Sequence, residues 1–385
     1  RAGFRGRPDA PARIFLACPR LREAAHINSD RHVAPGAERR VMTFGVRHVV
    51  GVTTNSTRRG WLGTKAPLFG SSWENKNLFG TWTAEDVWKY LVGCHLSHTT
   101  ELAVAVLCYR LFFADGTWLT TCAELKIGWV GHVIAFNLAC EFLFVGFWHW
   151  LVYASSYARG LKPVKFNPVD QYDKTSNLQR EVTFTTLGWL QSAGWQCLLM
   201  WLWASKRLPI FYTSFWSSPV YSVLLLKAVT YWREIHFYWA HRSMHPWFRP
   251  KRNLFEGDIG AFLYRHAHSL HHKSHNPGPW SGLSMHPIEH FIYYSCAWLP
   301  PLLFSVHPLH FLYAKFHADI APIGGHDGYG EPSANGDFHY LHHHKFECNY
   351  GVPFPINFDK IFGSYVDFEE FKANGGKLPA ALKAE

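Results

Sequence analysis

The chain has 385 residues, enough for two soluble domains or one large membrane domain. Aromatic residues make up 17% of it, including 18 Trp, and charged residues only 17%, below the roughly 25% of ordinary soluble domains. The net charge of +10 sits mostly in residues 1–60, which hold 12 Arg, no Lys and four acids for +8; the near-neutral remainder excludes an extended nucleic-acid surface.

The Arg-only, acid-poor leader, 1–60, reads as an organelle-targeting segment or mobile arm. A Gly-, Ser-, Asn- and Trp-rich loop follows over 60–80, and Thr83-Ala-Glu-Asp86 is a helix start with a capping Thr and acids in the first turn. Apolar segments then run over 87–113, 128–153, 184–204, 217–240, 287–306 and 308–325. Each is long enough as a helix for about 30 Å, the thickness of a bilayer core. Trp148, Trp150 and Tyr153, followed by Arg159, Lys162 and Lys165, give one of them the aromatic belt and basic flank of a membrane interface. Mean hydropathy is only −0.12, because 25 histidines and the polar leader pull the average down. Glu101, Glu141 and Glu234 fall inside or beside these runs, so they must face the protein interior. Pro300-Pro301 and His307-Pro308 split the last two segments into a hairpin that stops short of full crossings. The polar stretch 154–183 separates an N-terminal anchor region from the C-terminal half. Eight cysteines without a CxxC pair offer neither a zinc knuckle nor a disulfide framework, so they read as reduced thiols.

Eighteen of the 25 histidines lie between 236 and 344. His241 and His245 are four apart; His268, His271 and His272 follow an i, i+3, i+4 pattern, and His339, His342 and His343 repeat it. Each set falls on one helical face, where two imidazoles converge on one ion. Eight or more imidazoles exceed one metal's four to six sites, so two adjacent metals are predicted, and an imidazole shell without thiolates suits iron that handles O2.

HRSMH, HSLHH, HPIEH, HDGYG and HYLHHHKFECNYG, in that order, resemble the histidine boxes of the sterol desaturase and fatty-acid hydroxylase superfamily. With NPVDQ and LQREVTFT upstream, the pattern over about 160–370 is most similar to its sterol C-5 desaturase (lathosterol oxidase-like) branch. The resemblance implies two non-haem iron ions, O2 as oxidant and a lipid substrate. It implies as ligands His241, His245, His268, His271, His272, His326, His339, His342 and His343. His286 is a further candidate ligand, and His344, Glu289, Asp327 and Asp337 are candidates to support the imidazoles from behind. Neither a His-Pro-Gly-Gly haem signature nor a GxGxxG loop occurs, so the family implies a separate electron carrier, cytochrome b5 or a ferredoxin, with its reductase.

The expected fold is all-α: a multi-pass transmembrane helical bundle with a His-rich di-iron cap on its cytosolic face. The expected organisation is a leader (1–60), an anchor region (61–160), the hydroxylase/desaturase domain (161–370) and a tail (371–385), in the endoplasmic reticulum membrane or, alternatively, a plastid membrane. A sterol is the first-choice substrate, with fatty-acyl or carotenoid hydroxylation as the alternative. A membrane zinc protein or transporter, and a bis-His haem protein, are the rivals of another class.

Overall fold

The computed structural model describes residues 42–43, 46–47, 99–161, 165–169, 175–209, 211–212, 214–248, 252–329, 336–352, 356–379 and 382. All lie within the unit Arg40–Glu385. Most of the leader, the 60–80 loop, the Thr83 helix start and the part of the first apolar segment before Thr99 fall outside the described residues.

Apart from a two-residue antiparallel pair, β1 (Met42–Thr43) with β2 (Val46–Arg47), the described secondary structure is helical. The helices are α1 (Thr99–Phe112), α2 (Trp118–Thr121), α3 (Ile127–His149), α4 (Ser156–Leu161), α5 (Thr175–Ala204), α6 (Pro219–Ser243) and α7 (Ile259–His266). Then come α8 (Pro287–Leu303), α9 (Pro308–Gly325), α10 (Gly336–Lys345), α11 (Phe358–Ile361) and α12 (Phe368–Ala373). Short 3₁₀ turns intervene, among them Leu254–Glu256 and His268–Lys273.

The helix α3 continues through a π-turn, Trp150–Ala154, into a 28-residue run that is long and apolar enough to cross a membrane, about 42 Å at 1.5 Å per residue. It is the one described helix that meets both criteria. The polar stretch expected over 154–183 is shorter than its composition implies, because α4 and the first turns of α5 form within it.

His-Pro pairs start both later helices by one device. Pro287 and Pro308 occupy the first helical position, where a missing N–H costs nothing. His286 Nδ1 accepts the Ile288 amide and His307 Nδ1 the Leu309 amide, each at 3.2 Å. The hairpin between α8 and α9 turns at Phe304–His307, not at Pro300-Pro301, which stay inside α8.

At the centre, α9 is buried along almost its whole length and packs against α1, α3, α5, α6, α8 and α10. Side-chain to backbone bonds stitch the bundle: Trp232 Nε1 donates to Cys296 O (2.8 Å) and Tyr293 Oη to Ala318 O (2.7 Å).

The distribution of polarity is reversed relative to a water-soluble bundle. Glu101, Glu141, Arg233, Glu234, Lys315 and Asp319 are buried. Leu107, Leu143, Phe147, Val223 and Leu224 face outward, each more than half exposed. Charged residues survive burial only when paired, and here Arg233 meets Glu234 at 2.8 Å and Lys315 meets Asp319 at 2.7 Å.

Candidate metal centre

The chain end of α6, the 3₁₀ turn His268–Lys273, the end of α9 and the helix α10 deliver nine histidines into two buried groups. His241, His245, His268, His272 and His342 form the first, and His271, His326, His339 and His343 the second. Within each group the candidate donor atoms lie within 4.8 Å of one another.

The contacts run nitrogen to nitrogen. In the first group His268 Nε2 lies 3.0 Å from the Nε2 atoms of His241, His245 and His272. In the second, His326 Nε2 lies 2.9 Å from His339, 3.1 Å from His343 and 3.3 Å from His271, again through Nε2. Donors about 2.1 Å from an ion are separated by about 3.0 Å at octahedral angles and about 3.4 Å at tetrahedral ones. The observed separations fall in that range.

Hydrogen bonds behind the rings fix which nitrogen is bare. His241 Nδ1 meets Tyr350 O, His326 Nδ1 meets Pro322 O at 2.7 Å, and His342 Nδ1 meets Cys348 O at 2.7 Å. A carbonyl only accepts, so each Nδ1 is the donor and each neutral ring points an Nε2 lone pair inward. His268 Nδ1 meets Glu289 Oε1 at 2.6 Å, the carboxylate–histidine pairing that orients a metal ligand. Facing lone pairs at 3 Å repel unless a cation lies between them; the residues therefore fit the metals that the sequence implies.

Burial also keeps the rings neutral. It pushes His268 down to about 3 and His326 to about 4, and, with neighbouring imidazoles, holds His245, His271, His272, His339, His342 and His343 well below the ordinary histidine range. Neutral imidazole is the ligating form, so no proton has to be displaced at neutral pH.

The spacing predicted that two imidazoles of each HxxHH set converge on one ion, and both sets are divided accordingly. The i, i+4 pairs stay together (His268 with His272, His339 with His343), while the i+3 residues, His271 and His342, cross to the opposite group.

Other candidates lie outside both groups. His286 is the N-cap of α8, with its Nδ1 occupied by the Ile288 amide. His344 is exposed and stacks on Tyr340. Asp327 is buried and accepts Tyr329 N at 3.0 Å and Trp148 Nε1 at 3.3 Å instead of an imidazole; desolvation raises it to about 8. Asp337 is buried and accepts the Phe338 amide. Among the supporting candidates, Glu289 is hydrogen-bonded to a clustered ring.

Sequence reasoning missed Asp359. Fully buried, it accepts Tyr350 N (2.8 Å), Gly351 N (2.7 Å) and Ser364 Oγ (2.6 Å), and so holds the turn whose Tyr350 carbonyl orients His241. The left-handed residue is Asn349, at φ 56°, while a Cβ at Gly351 would meet Tyr238 Cδ2 at 3.0 Å and Asp359 Oδ2 at 3.1 Å.

The helical scaffold thus presents two adjoining groups of neutral imidazoles, each a candidate metal site. Residues 226–364, which contain all nine histidines, match the family model described as fatty acid hydroxylase. Similar curated proteins include lathosterol oxidase of Rattus norvegicus, 24% identical over 52% of this chain and 65% of the relative. Sphinganine C4-monooxygenase 2 of Arabidopsis thaliana is 30% identical over 36% of this chain and 53% of its own length. A Delta(7)-sterol 5(6)-desaturase of Gibberella zeae is 30% identical over 33% and 34%. The chain spans less than two thirds of the length of each. No solved structure matches.

Proposed function

We propose that this chain is a membrane-bound, non-haem di-iron oxygenase that oxidises a lipid, with desaturation at the C-5 position of a sterol as the favoured reaction. The observation that carries the reading is the pair of groups, five and four imidazoles, within each of which the candidate donor atoms lie within 4.8 Å of one another, most of them meeting through Nε2 atoms 2.9–3.3 Å apart. Five donors on one ion exceed the four of a typical zinc site and suit iron. The reversed polarity of the bundle, with apolar side chains outward and charges paired inside, supports a multi-pass setting in a bilayer. The relatives' names, an oxidase, a monooxygenase and a desaturase, support oxidation as the reaction class and a sterol as the first substrate to test. Fatty-acyl or carotenoid hydroxylation remains the alternative within the family.

In this reading the nine clustered histidines hold the two irons, and iron there supplies O2 activation against unactivated C–H bonds. The chain's own residues do the positioning. Tyr350, Cys348 and Pro322 carbonyls fix the tautomers of His241, His342 and His326, and Glu289 fixes His268. Burial of all nine rings excludes water. Electrons come from a separate carrier, cytochrome b5 or a ferredoxin with its reductase, at the cytosolic face of the endoplasmic reticulum or, alternatively, at a plastid membrane. Residues 161–370 form the catalytic domain and 61–160 the anchor.

Metal and product analysis test this together. Purified protein should hold two irons per chain with no Soret band, and expression in a sterol-desaturase-deficient host should yield an oxidised sterol. One zinc and no iron, or haem absorption, would overturn it.

A further inference from the structure

Between the first two histidine clusters the chain builds an exposed apolar ledge. Trp247, Phe248, Leu254, Ile259 and Phe262 are each 38–46% exposed, and Phe255 is 97% exposed. Such a patch is unusual on a surface that meets only water.

The ledge is rigidly made. Asn253 and Glu256 close a capping box around the 3₁₀ turn, Asn253 Oδ1 accepting Glu256 N (3.1 Å) and Glu256 Oε2 accepting Asn253 N (2.9 Å). Gly257, at φ 85°, ends the turn. Buried Asp258 then accepts Trp247 N, Phe248 N and Ala261 N at 2.7–3.2 Å, tying both ends of the excursion together. Thus Phe255 is held outward by a built turn. The ledge is also seated on the site: a Cβ at Gly260 would lie 2.0 Å from His245 O and 2.5 Å from Trp247 Cδ1, and the Tyr264 ring, one turn on, lies tilted at 5.3 Å from that of His245 and 5.7 Å from that of His272.

Two features identify what covers it. Its flanking exposed side chains include Arg252, which lies over Phe248 at 4.9 Å, Arg265 and His266, and the one exposed acid of the turn, Glu256, is engaged in the capping box. The ledge also continues the outward apolar face of α6, whose Trp232 (37% exposed) and Trp239 (50%) precede it. Aromatic and aliphatic side chains flanked by arginines, in line with an apolar helix face, are the chemistry of an anionic lipid surface.

We propose that Trp247, Phe248 and the segment Leu254–Phe262 form a membrane foot: it sinks into the headgroup layer of an anionic bilayer and holds the first two histidine clusters at the lipid surface. This rests on the membrane reading above. Buried Asp258 and the close seat of Gly260 make the foot and His245 one rigid piece, so the depth of the foot sets the depth of the metal site.

The test uses the full chain in nanodiscs of phosphatidylcholine with phosphatidylserine. Cys18→Ser and Cys94→Ser leave six buried cysteines, and an environment-sensitive NBD label is placed at Phe255→Cys, at Leu143→Cys on α3 or at Lys377→Cys. Doxyl groups deep in the acyl chains should quench the label at 143, and doxyl groups near the headgroup the label at 255, by at least about twofold, with 377 unaffected. Arg252→Glu with Arg265→Glu should reduce quenching at 255 in anionic discs. Quenching at 143 with a water-like label at 255 would overturn the foot while sparing the membrane reading. No quenching at either would overturn both. A label at 255 shielded from iodide yet unquenched by any doxyl lipid would mean a protein partner and would also overturn the foot.

Discussion

Histidine serves two opposite purposes in this molecule. Around the candidate metal centre, nine neutral rings crowd together in two groups, with the Glu289 carboxyl group behind His268. In the bundle, His317 on α9 has a carboxylate on each side: Glu101 Oε1 lies 3.9 Å from Nδ1 and Glu234 Oε1 3.8 Å from Nε2. Arg233 holds Glu234 and also donates to Tyr293 Oη (3.2 Å). Lys315 Nζ completes a second pair with Asp319 and bonds Asn137. The bundle's polar interior is complementary to itself; the cap's is complementary to a cation. Burial alone does not mark a functional histidine. What marks it is whether the charge balance closes without a guest.

The contrast breaks most sharply at the crossing residues. His271→Ala and His342→Ala should each abolish lipid oxidation and remove iron, leaving the helical content by circular dichroism unchanged. Iron retained in both would refute the nine-histidine assignment. Next in size, Lys315→Ala should destabilise the fold by about 3–5 kcal/mol by stranding Asp319, read by denaturation in detergent. Lys315→Met with Asp319→Leu should recover most of that loss, and iron per folded chain should stay at the wild-type value. If Lys315→Ala instead costs iron at unchanged stability, the division between bundle and cap fails.

Smaller effects sharpen the boundary of the cap. Glu289→Gln keeps the shape but weakens the hold on His268, and should lower metal affinity by about 10- to 100-fold in a chelator competition. His286→Ala should cost about 1 kcal/mol as a lost helix cap with full iron occupancy, and an iron deficit there would make His286 a ligand after all. His344→Ala, at an exposed ring, should change neither quantity measurably.

The clusters were legible because spacings of three and four survive any helical geometry. Their division was not. The same division occurs in the 3₁₀ turn His268–Lys273 and on the α-helix α10, so local helix type does not set it, and a ring between two adjoining groups can join either. Asp359 was invisible because its partners, the amides of Tyr350 and Gly351, carry no side-chain signature. The helices were found from their apolar runs, but not which face is buried: on α3 apolar residues occur both inside, such as Val133 and Val145, and outside, such as Leu143 and Phe147, so periodicity has nothing to contrast. The isolated acids were the better guide, since Glu101, Glu141 and Glu234 all turn inward.

The exchange of His271 and His342 has a thermodynamic consequence. A single short turn, and a single helix, each supply donors to both groups, so neither group can be ordered alone. Seating an ion in one immobilises backbone and rotamers that the other needs, and the second ion meets a conformational cost already met. Uptake by the iron-free protein would then be sigmoidal, with a Hill coefficient above one, and singly occupied chains would be scarce at every iron concentration.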